Sequence, residues 1–137
     1  MNKIVRNITL LLITCFAVSC EPDSVVKPTT DVRDPYIGIW MSTDKPIKNT
    51  DATYYVKITA DPVFDNRVIL ENFFHLGEDA KPYGIVDGSS LIVPQQLTCS
   101  DKSWTVSGQA LLISKIEIRW NEYNANELSY TATFIKQ

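Results

Sequence analysis

Between Tyr36 and Gln137 apolar and polar residues keep alternating, and that period of two constrains this chain more than any other feature in it. In Ile116-Glu117-Ile118-Arg119-Trp120-Asn121 the even positions are apolar and the odd ones polar. Leu128-Ser129-Tyr130-Thr131-Ala132-Thr133-Phe134 repeats the pattern, as does Tyr54-Tyr55-Val56-Lys57-Ile58-Thr59-Ala60 with Tyr55 as the exception. Successive side chains of a strand point to opposite faces, so this period predicts strands with one face buried. A helix needs apolar residues three and four apart, and no stretch here keeps that spacing beyond a turn or two. Gly38 to Ser42 and Trp104 to Ser107 alternate as well, while Val68 to Leu76 and Leu91 to Thr98 read as less regular strands.

The breaks between these runs carry turn chemistry. Asp65-Asn66, Asp87-Gly88 and Asn124-Ala125-Asn126 each separate apolar stretches. Asp87-Gly88 is the strongest signal, because both residues tolerate the positive φ of a tight type I′ hairpin. The result is an all-β chain of about eight strands joined by short turns. An antiparallel up-and-down barrel is the natural closed form of such a meander, since closure leaves no exposed edge. A two-sheet β-sandwich is the alternative, and regularly spaced hairpins favour the barrel.

Trp40, Tyr54, Trp104, Trp120, Tyr130 and Phe134 all fall on the apolar phase of their strands. They are expected to point inward, either as packed core or as the lining of a small-ligand pocket. Six large rings fill much of an eight-stranded interior, so a packed interior is favoured over an open calyx. Tyr55, Phe73 and Tyr123 fall on the polar phase and are candidate exposed rings for a glycan or a protein, and Tyr83 sits beside Pro82 and Gly84 as at a loop tip.

The N-terminus has a different character. Lys3 and Arg6 precede an apolar run from Ile8 to Val18 that is too short for a bilayer span of about 20 residues. A positive start, a short apolar core and small residues before a cut describe a secretory signal peptide. Residues 21–35, EPDSVVKPTTDVRDP, hold three prolines, scattered charges and no apolar period, which predicts an extended linker. The expected organisation is a signal peptide over 1–19, a linker over 20–35 and one β domain over 36–137.

The segment Ala17-Val18-Ser19-Cys20 resembles the lipobox of bacterial lipoproteins, with Ala17 where Leu is usual. The resemblance implies cleavage between Ser19 and Cys20 and a diacylglyceryl thioether on the Cys20 sulfur. One acyl chain anchors only marginally, whereas several chains on one cysteine hold firmly. The implied location is the outer membrane, lipid-anchored, on its periplasmic face or at the cell surface. Glu21 and Asp23 weakly resemble the acidic export signal of surface lipoproteins in Bacteroidetes, and Asp23-Ser24-Val25 resembles the short O-glycosylation motif of that group, with Ser24 the acceptor.

Asp34-Pro35-Tyr36-Ile37-Gly38-Ile39-Trp40 resembles the opening of small lipocalin-like lipoproteins of Bacteroidetes. There the Gly-x-Trp lies on the first strand and the Trp closes one end of the barrel, positions that Gly38 and Trp40 fit. The tail from Tyr130 to Gln137 is similar to the closing strand of that group. Many relatives carry a cysteine pair, and this chain departs from that with Cys99 alone once Cys15 leaves with the signal and Cys20 is capped. The resemblance implies a lipocalin-like barrel and leaves the ligand open.

No catalytic constellation is legible. Ser42-Thr43-Asp44-Lys45 matches the Ser-x-x-Lys motif of penicillin-recognising enzymes, but that motif works at a helix start and its companions are missing. His75 is the only histidine, its neighbours are Phe74 and Leu76, and one His without nearby ligands builds no metal site. Cys99 has no second cysteine or basic cluster to activate it. Asp61, Asp65, Asp87 and Asp101 fall in turn-like stretches, and Glu117 on a polar strand face. Removal of Lys3 and Arg6 leaves 11 basic against 16 acidic residues, with no basic cluster for phosphate contacts, so no nucleic acid is expected as a partner. No cofactor is called for either. The expected function is non-enzymatic: a membrane-anchored lipoprotein whose barrel binds a small apolar ligand or a glycan. The alternative is a filled barrel that serves as a structural or protein-interaction subunit of the cell envelope.

Overall fold

The computed structural model describes residues 30–45 and 52–137; the expected cleavage and lipidation site at Ser19 and Cys20 and the candidate glycosylation site Ser24 lie outside the described residues. Eight strands follow in order: β1 (Gly38–Lys45), β2 (Ala52–Ala60), β3 (Arg67–Glu71), β4 (Tyr83–Asp87), β5 (Ser90–Thr98), β6 (Trp104–Ser114), β7 (Glu117–Ala125) and β8 (Leu128–Lys136). Each pairs antiparallel with the next, and β8 returns to β1, so the sheet closes as an up-and-down barrel rather than a sandwich. The closing seam sets Trp40 opposite Lys136 and Ser42 opposite Phe134.

Alternation does what it predicts. Tyr54, Val56 and Ile58 of β2 are buried while Thr53, Tyr55 and Lys57 between them are exposed. Trp40, Val56, Ile58, Val68, Leu70, Phe73, Leu91, Ile118, Trp120, Tyr123 and Phe134 show no accessible surface at all. A void large enough for water would expose its lining, so the interior around these residues is filled. An eight-stranded barrel is just wide enough for its own side chains to fill. The Trp120 ring fits against β6 only because Gly108 makes room. A Cβ there would lie 2.8 Å from a carbon of the Trp120 ring and 2.9 Å from the Glu122 carbonyl oxygen.

One break in the alternation reshapes the interior. Trp120 pairs with Ala132 on β8, yet the next pair on that ladder is Tyr123 with Tyr130. Two residues of β7 thus oppose one of β8, a bulge that resets the phase. Tyr123, read from sequence as a polar-phase ring, is therefore fully buried. Phe73 corrects the same expectation for a different reason. The strand expected over Val68 to Leu76 ends at Glu71, and Phe73–His75 form a single 3-10 turn that tucks Phe73 inward. Of the three polar-phase rings only Tyr55 is exposed, at 58%.

Smaller corrections concern the turns. The β4–β5 hairpin uses Gly88 and Ser89 as its two central residues, because Asp87 still pairs with Ser90. Gly88 has φ 58 and Ser89 does not share the positive φ, a type II′ pattern in which glycine comes first. Tyr83 is no loop tip. It opens β4, and the Arg67 guanidinium lies 4.3 Å from its ring centroid and 3.9 Å from that of Phe64. Ser42-Thr43-Asp44-Lys45 lies on β1, where residues three apart face opposite sides, so Ser42 is buried and Lys45 exposed.

The N-terminal turn closes one end of the barrel. Residues 31–35, expected as the end of the linker, are held against it by Arg33, whose Nη1 donates to the carbonyls of Asp61 and Phe64 at 2.9 Å each. Tyr36 is buried and donates its hydroxyl to the Gly88 carbonyl at 3.0 Å. Trp40 donates its indole N–H to the Tyr36 carbonyl at 2.7 Å, and the Lys136 ammonium lies 5.2 Å from the Trp40 ring centroid. Arg33 also holds the Asp31 carboxyl down to about 2 through their hydrogen bonds.

Candidate functional site at the plugged end of the barrel

The opposite end of the barrel is built differently. The phase that brings Trp40 inward on β1 continues through Ser42 to Asp44, so two polar side chains enter the interior where the pattern calls for apolar ones. Ser42 Oγ donates to Asp44 Oδ1 and the Tyr54 hydroxyl to Asp44 Oδ2, each at 2.7 Å. Tyr54 and Tyr123 share a hydroxyl hydrogen bond of 2.9 Å, and the Phe74 backbone N–H donates to Tyr123 Oη at 2.6 Å. Tyr54 has given its only proton to Asp44, so Tyr123 must be the donor between the two. The bonds run one way, from Phe74 N–H through Tyr123 and Tyr54 to Asp44, and each hydroxyl accepts one and donates one.

Burial pushes the Asp44 carboxyl above its ordinary value of 3.8, outweighing the pull of the Tyr54 and Ser42 donors and of His75. Burial likewise raises the Tyr54 and Tyr123 phenols, with the Asp44 charge adding to both. The linkage has the less common sign for a carboxylate. The folded protein holds this proton more tightly than the unfolded chain, so the stability Asp44 contributes is fully present below the unfolded value. It is lost as pH rises through the interval from 3.8 to the raised folded value. The stability difference between wild type and Asp44→Asn, followed by urea unfolding, is therefore expected to shift against wild type as pH rises from about 4, then level off. A difference independent of pH would show that the carboxyl titrates as if solvated.

The Phe73–His75 turn sits over this network as a plug. The Phe73 ring meets Tyr123 at 4.5 Å and Trp120 at 5.5 Å, both edge-on. The Phe74 ring stacks on Tyr130 at 4.9 Å and packs on Tyr123 at 5.1 Å, and the His75 ring stacks on Tyr54 at 4.7 Å. The plug is strained. Asn72, Phe74 and His75 all have left-handed backbone, with φ of 64, 57 and 60. Asn accepts this conformation, but it costs Phe74 and His75 about 1–2 kcal/mol each. Asn72 anchors the strained segment with its side chain, donating to the Tyr55 carbonyl at 2.7 Å and accepting from Gly77 N–H at 2.9 Å.

Beneath the plug the interior is not fully satisfied. Trp120 Nε1 is buried and has no hydrogen-bond partner among the described residues. Such an orphaned donor costs about 1–3 kcal/mol. Strain and an unpaired donor thus meet at one end of the barrel, whereas the other end is closed by fully bonded groups.

The six rings expected to line a pocket divide accordingly. Tyr54, Trp120, Tyr130 and Phe134 come together around the plug, with Trp120 and Phe134 5.4 Å apart. Trp40 lies at the opposite closed end, and Trp104 is half-buried at the start of β6. Sequence reasoning missed Asp44, Ser42, Tyr123 and Phe73. Asp44 and Ser42 could have been found by extending the inward phase of Trp40; Tyr123 and Phe73 could not, because a bulge and a turn displaced them.

The other candidates stay apart from this network. Cys99 sits in a turn with φ 69, half-buried, and burial together with Asp79 and Asp101 raises its thiol. Asp61 and Asp101 cap their own turns, accepting from Val63 and Ser103 N–H. Glu117 pairs with Arg119 on the outer face at 2.7 Å. Among the described residues no group of three His, Cys, Asp or Glu side chains is placed to hold a metal ion.

No family model matches the chain, and no curated protein matches it. Solved β-barrels do. A redesigned β-barrel is similar over 80% of this chain and 97% of its own, with TM-score 0.59 and 14% identity. The redesigned barrel mFAP1, bound to DFHBI, is similar over 79% of this chain and all of its own, at TM-score 0.52 and 11% identity. A de novo designed fluorescence-activating barrel is similar over 79% and 99%, at TM-score 0.51 and 13% identity. At such identities the likeness is one of fold.

Proposed function

We propose that this protein is a non-enzymatic, membrane-anchored lipoprotein whose lipocalin-like barrel takes up a small apolar ligand through its plugged end. The observation that carries this is the contrast between the two ends. The Trp40 end is closed by satisfied groups, while the other is stoppered by a strained turn above an unpaired indole donor and a buried carboxylate. A structure that needed only a filled core would gain from relaxing all three. The designed barrel that holds DFHBI supports the reading, in that a barrel of this architecture admits a small molecule. Cys20 carries the lipid in this reading and residues 21–30 the tether.

The test is native mass spectrometry of the protein extracted from its own membrane in mild detergent, before and after unfolding. The expected results are a covalent mass on Cys20 that survives unfolding and a second, non-covalent mass that leaves with it. Cys20→Ser is expected to lose the first and to move to the soluble fraction while keeping the second. A protein that carries no releasable mass and takes up no apolar dye would overturn the ligand reading.

A second reading has its own support. The interior is filled, and Ile92, Leu111, Ile113 and Ile116 are exposed on the outside of β5, β6 and the β6–β7 hairpin. Those features suit a barrel that docks on an envelope protein through its outer face. The same measurement separates the two, because a docking barrel carries protein partners and no small molecule.

A further inference from the structure

The plug describes the chemistry of what replaces it. For a ligand to enter beside Trp120 and Tyr123, the Phe73–His75 turn must leave. Its departure removes two rings from Trp120, Tyr123 and Tyr130, and it removes the 2.6 Å donor to Tyr123 Oη. Tyr123 cannot compensate by turning its own proton, which is committed to Tyr54 in a chain that ends on Asp44. The incoming molecule must therefore present an N–H or O–H to Tyr123 between two ring-sized apolar groups. Trp120 Nε1 adds a complementary demand, because it is a buried donor in need of an acceptor. An N–H donor and a carbonyl acceptor flanked by apolar groups make up a secondary amide.

We infer that the ligand is a small amide with an apolar, preferably aromatic, group on each side, such as a hydrophobic dipeptide or an acylated aromatic amine, and that Phe73-Phe74 occupies the site as the chain's own mimic of its two apolar groups and its N–H, the Phe73 carbonyl being taken by Leu76 N–H within the turn. The inference rests on the ligand-binding reading above and deepens it. The amide N–H donates to Tyr123 Oη in place of Phe74, and the carbonyl accepts from Trp120 Nε1. The hydroxyl chain to Asp44 stays intact, which keeps the buried carboxylate doubly bonded throughout.

The probe is a doubly capped Phe-Phe dipeptide, compared with its ester analogue in which oxygen replaces the N–H between the two residues. Binding to the full chain is followed by intrinsic tryptophan fluorescence, with Nile red as a plain apolar competitor. The amide is expected to bind at least tenfold more tightly than the ester, as befits one buried hydrogen bond. In Tyr123→Phe that preference is expected to vanish while Nile red still binds. Should Tyr123→Phe fail to fold, the amide–ester ratio in the wild type stands by itself. Equal binding of amide and ester in the wild type would overturn the amide class while leaving the binding barrel intact. Failure of dipeptide, ester and Nile red alike, in the wild type and in a plug-weakened Phe74→Ala chain, would overturn both.

Discussion

Trp40→Ala is expected to destabilise the barrel by about 3–5 kcal/mol, the cost of emptying a fully packed aromatic site. Trp40 has no exposed surface, and its indole ties β1 to the N-terminal turn through the Tyr36 carbonyl. Tyr36 in turn holds the β4–β5 hairpin through Gly88. Removing the ring therefore opens a cavity and also loosens the turn that closes this end. Trp40→Phe keeps most of the bulk and loses the hydrogen bond, so it is expected to cost markedly less. Urea unfolding at neutral pH measures both, and a drop in Tm on the order of 20 °C accompanies the alanine change for a domain of this size. A loss below about 1 kcal/mol for Trp40→Ala would mean that the end is closed by something other than this ring.

Phe73→Ala is expected to act on uptake as well as on stability. The Phe73 ring is wedged between Trp120 and Tyr123 with no exposed surface. Its removal leaves a ring-sized apolar void, of the kind that stays dry and admits small apolar molecules. The strained turn above it then has less to hold it, since burial of Phe73 and Phe74 offsets the left-handed backbone at Phe74 and His75. Nile red is expected to bind this variant saturably, one per barrel, at least tenfold more tightly than it binds the wild type. That factor corresponds to about 1.4 kcal/mol released from holding the plug. The stability loss is expected to fall short of that at Trp40, because the turn can lift without unravelling the strands. Leu91→Ala supplies the control, a comparable cavity among Gly84 and its neighbours, away from the plug. Equal dye uptake by both variants would show that any cavity suffices and that the plug is no gate.

The architecture was legible because it rests on local, repeated signals. Alternation named the inward residues of β2, of β7 as far as Trp120 and of β8 from Tyr130 on, and Gly88 marked the hairpin although Asp87 stayed in the strand. The candidate site was legible only in part. Tyr54, Trp120, Tyr130 and Phe134 follow the period and were found. Tyr123 follows it only after the bulge beyond Trp120 has shifted the phase, and a bulge is set by the two neighbouring strands rather than by its own residues. Phe73 belongs to an apolar stretch that reads as strand, and it leaves the sheet because the left-handed backbone of Asn72 (φ 64) turns the chain away after Glu71, while β2 runs on to Ala52. Asp44 was passed over as part of a chance motif, although its phase with Trp40 already placed it inward.

By itself the sequence pointed to an antiparallel barrel, with a sandwich as the alternative, and to the buried face of most of its strands; its N-terminus resembles a signal peptide with a lipobox-like cysteine. These follow from short-range periodicity and composition, which need no knowledge of the partner strand. Tertiary structure alone decided that the two ends of the barrel differ. Pairing of β1 with β2 sets Asp44 beside Tyr54, and only closure brings the turn after β3 and Tyr123 of β7 within hydrogen-bond reach of them. A polar chain assembled from four elements has no local signature, because each member is an ordinary residue until the others surround it and exclude water.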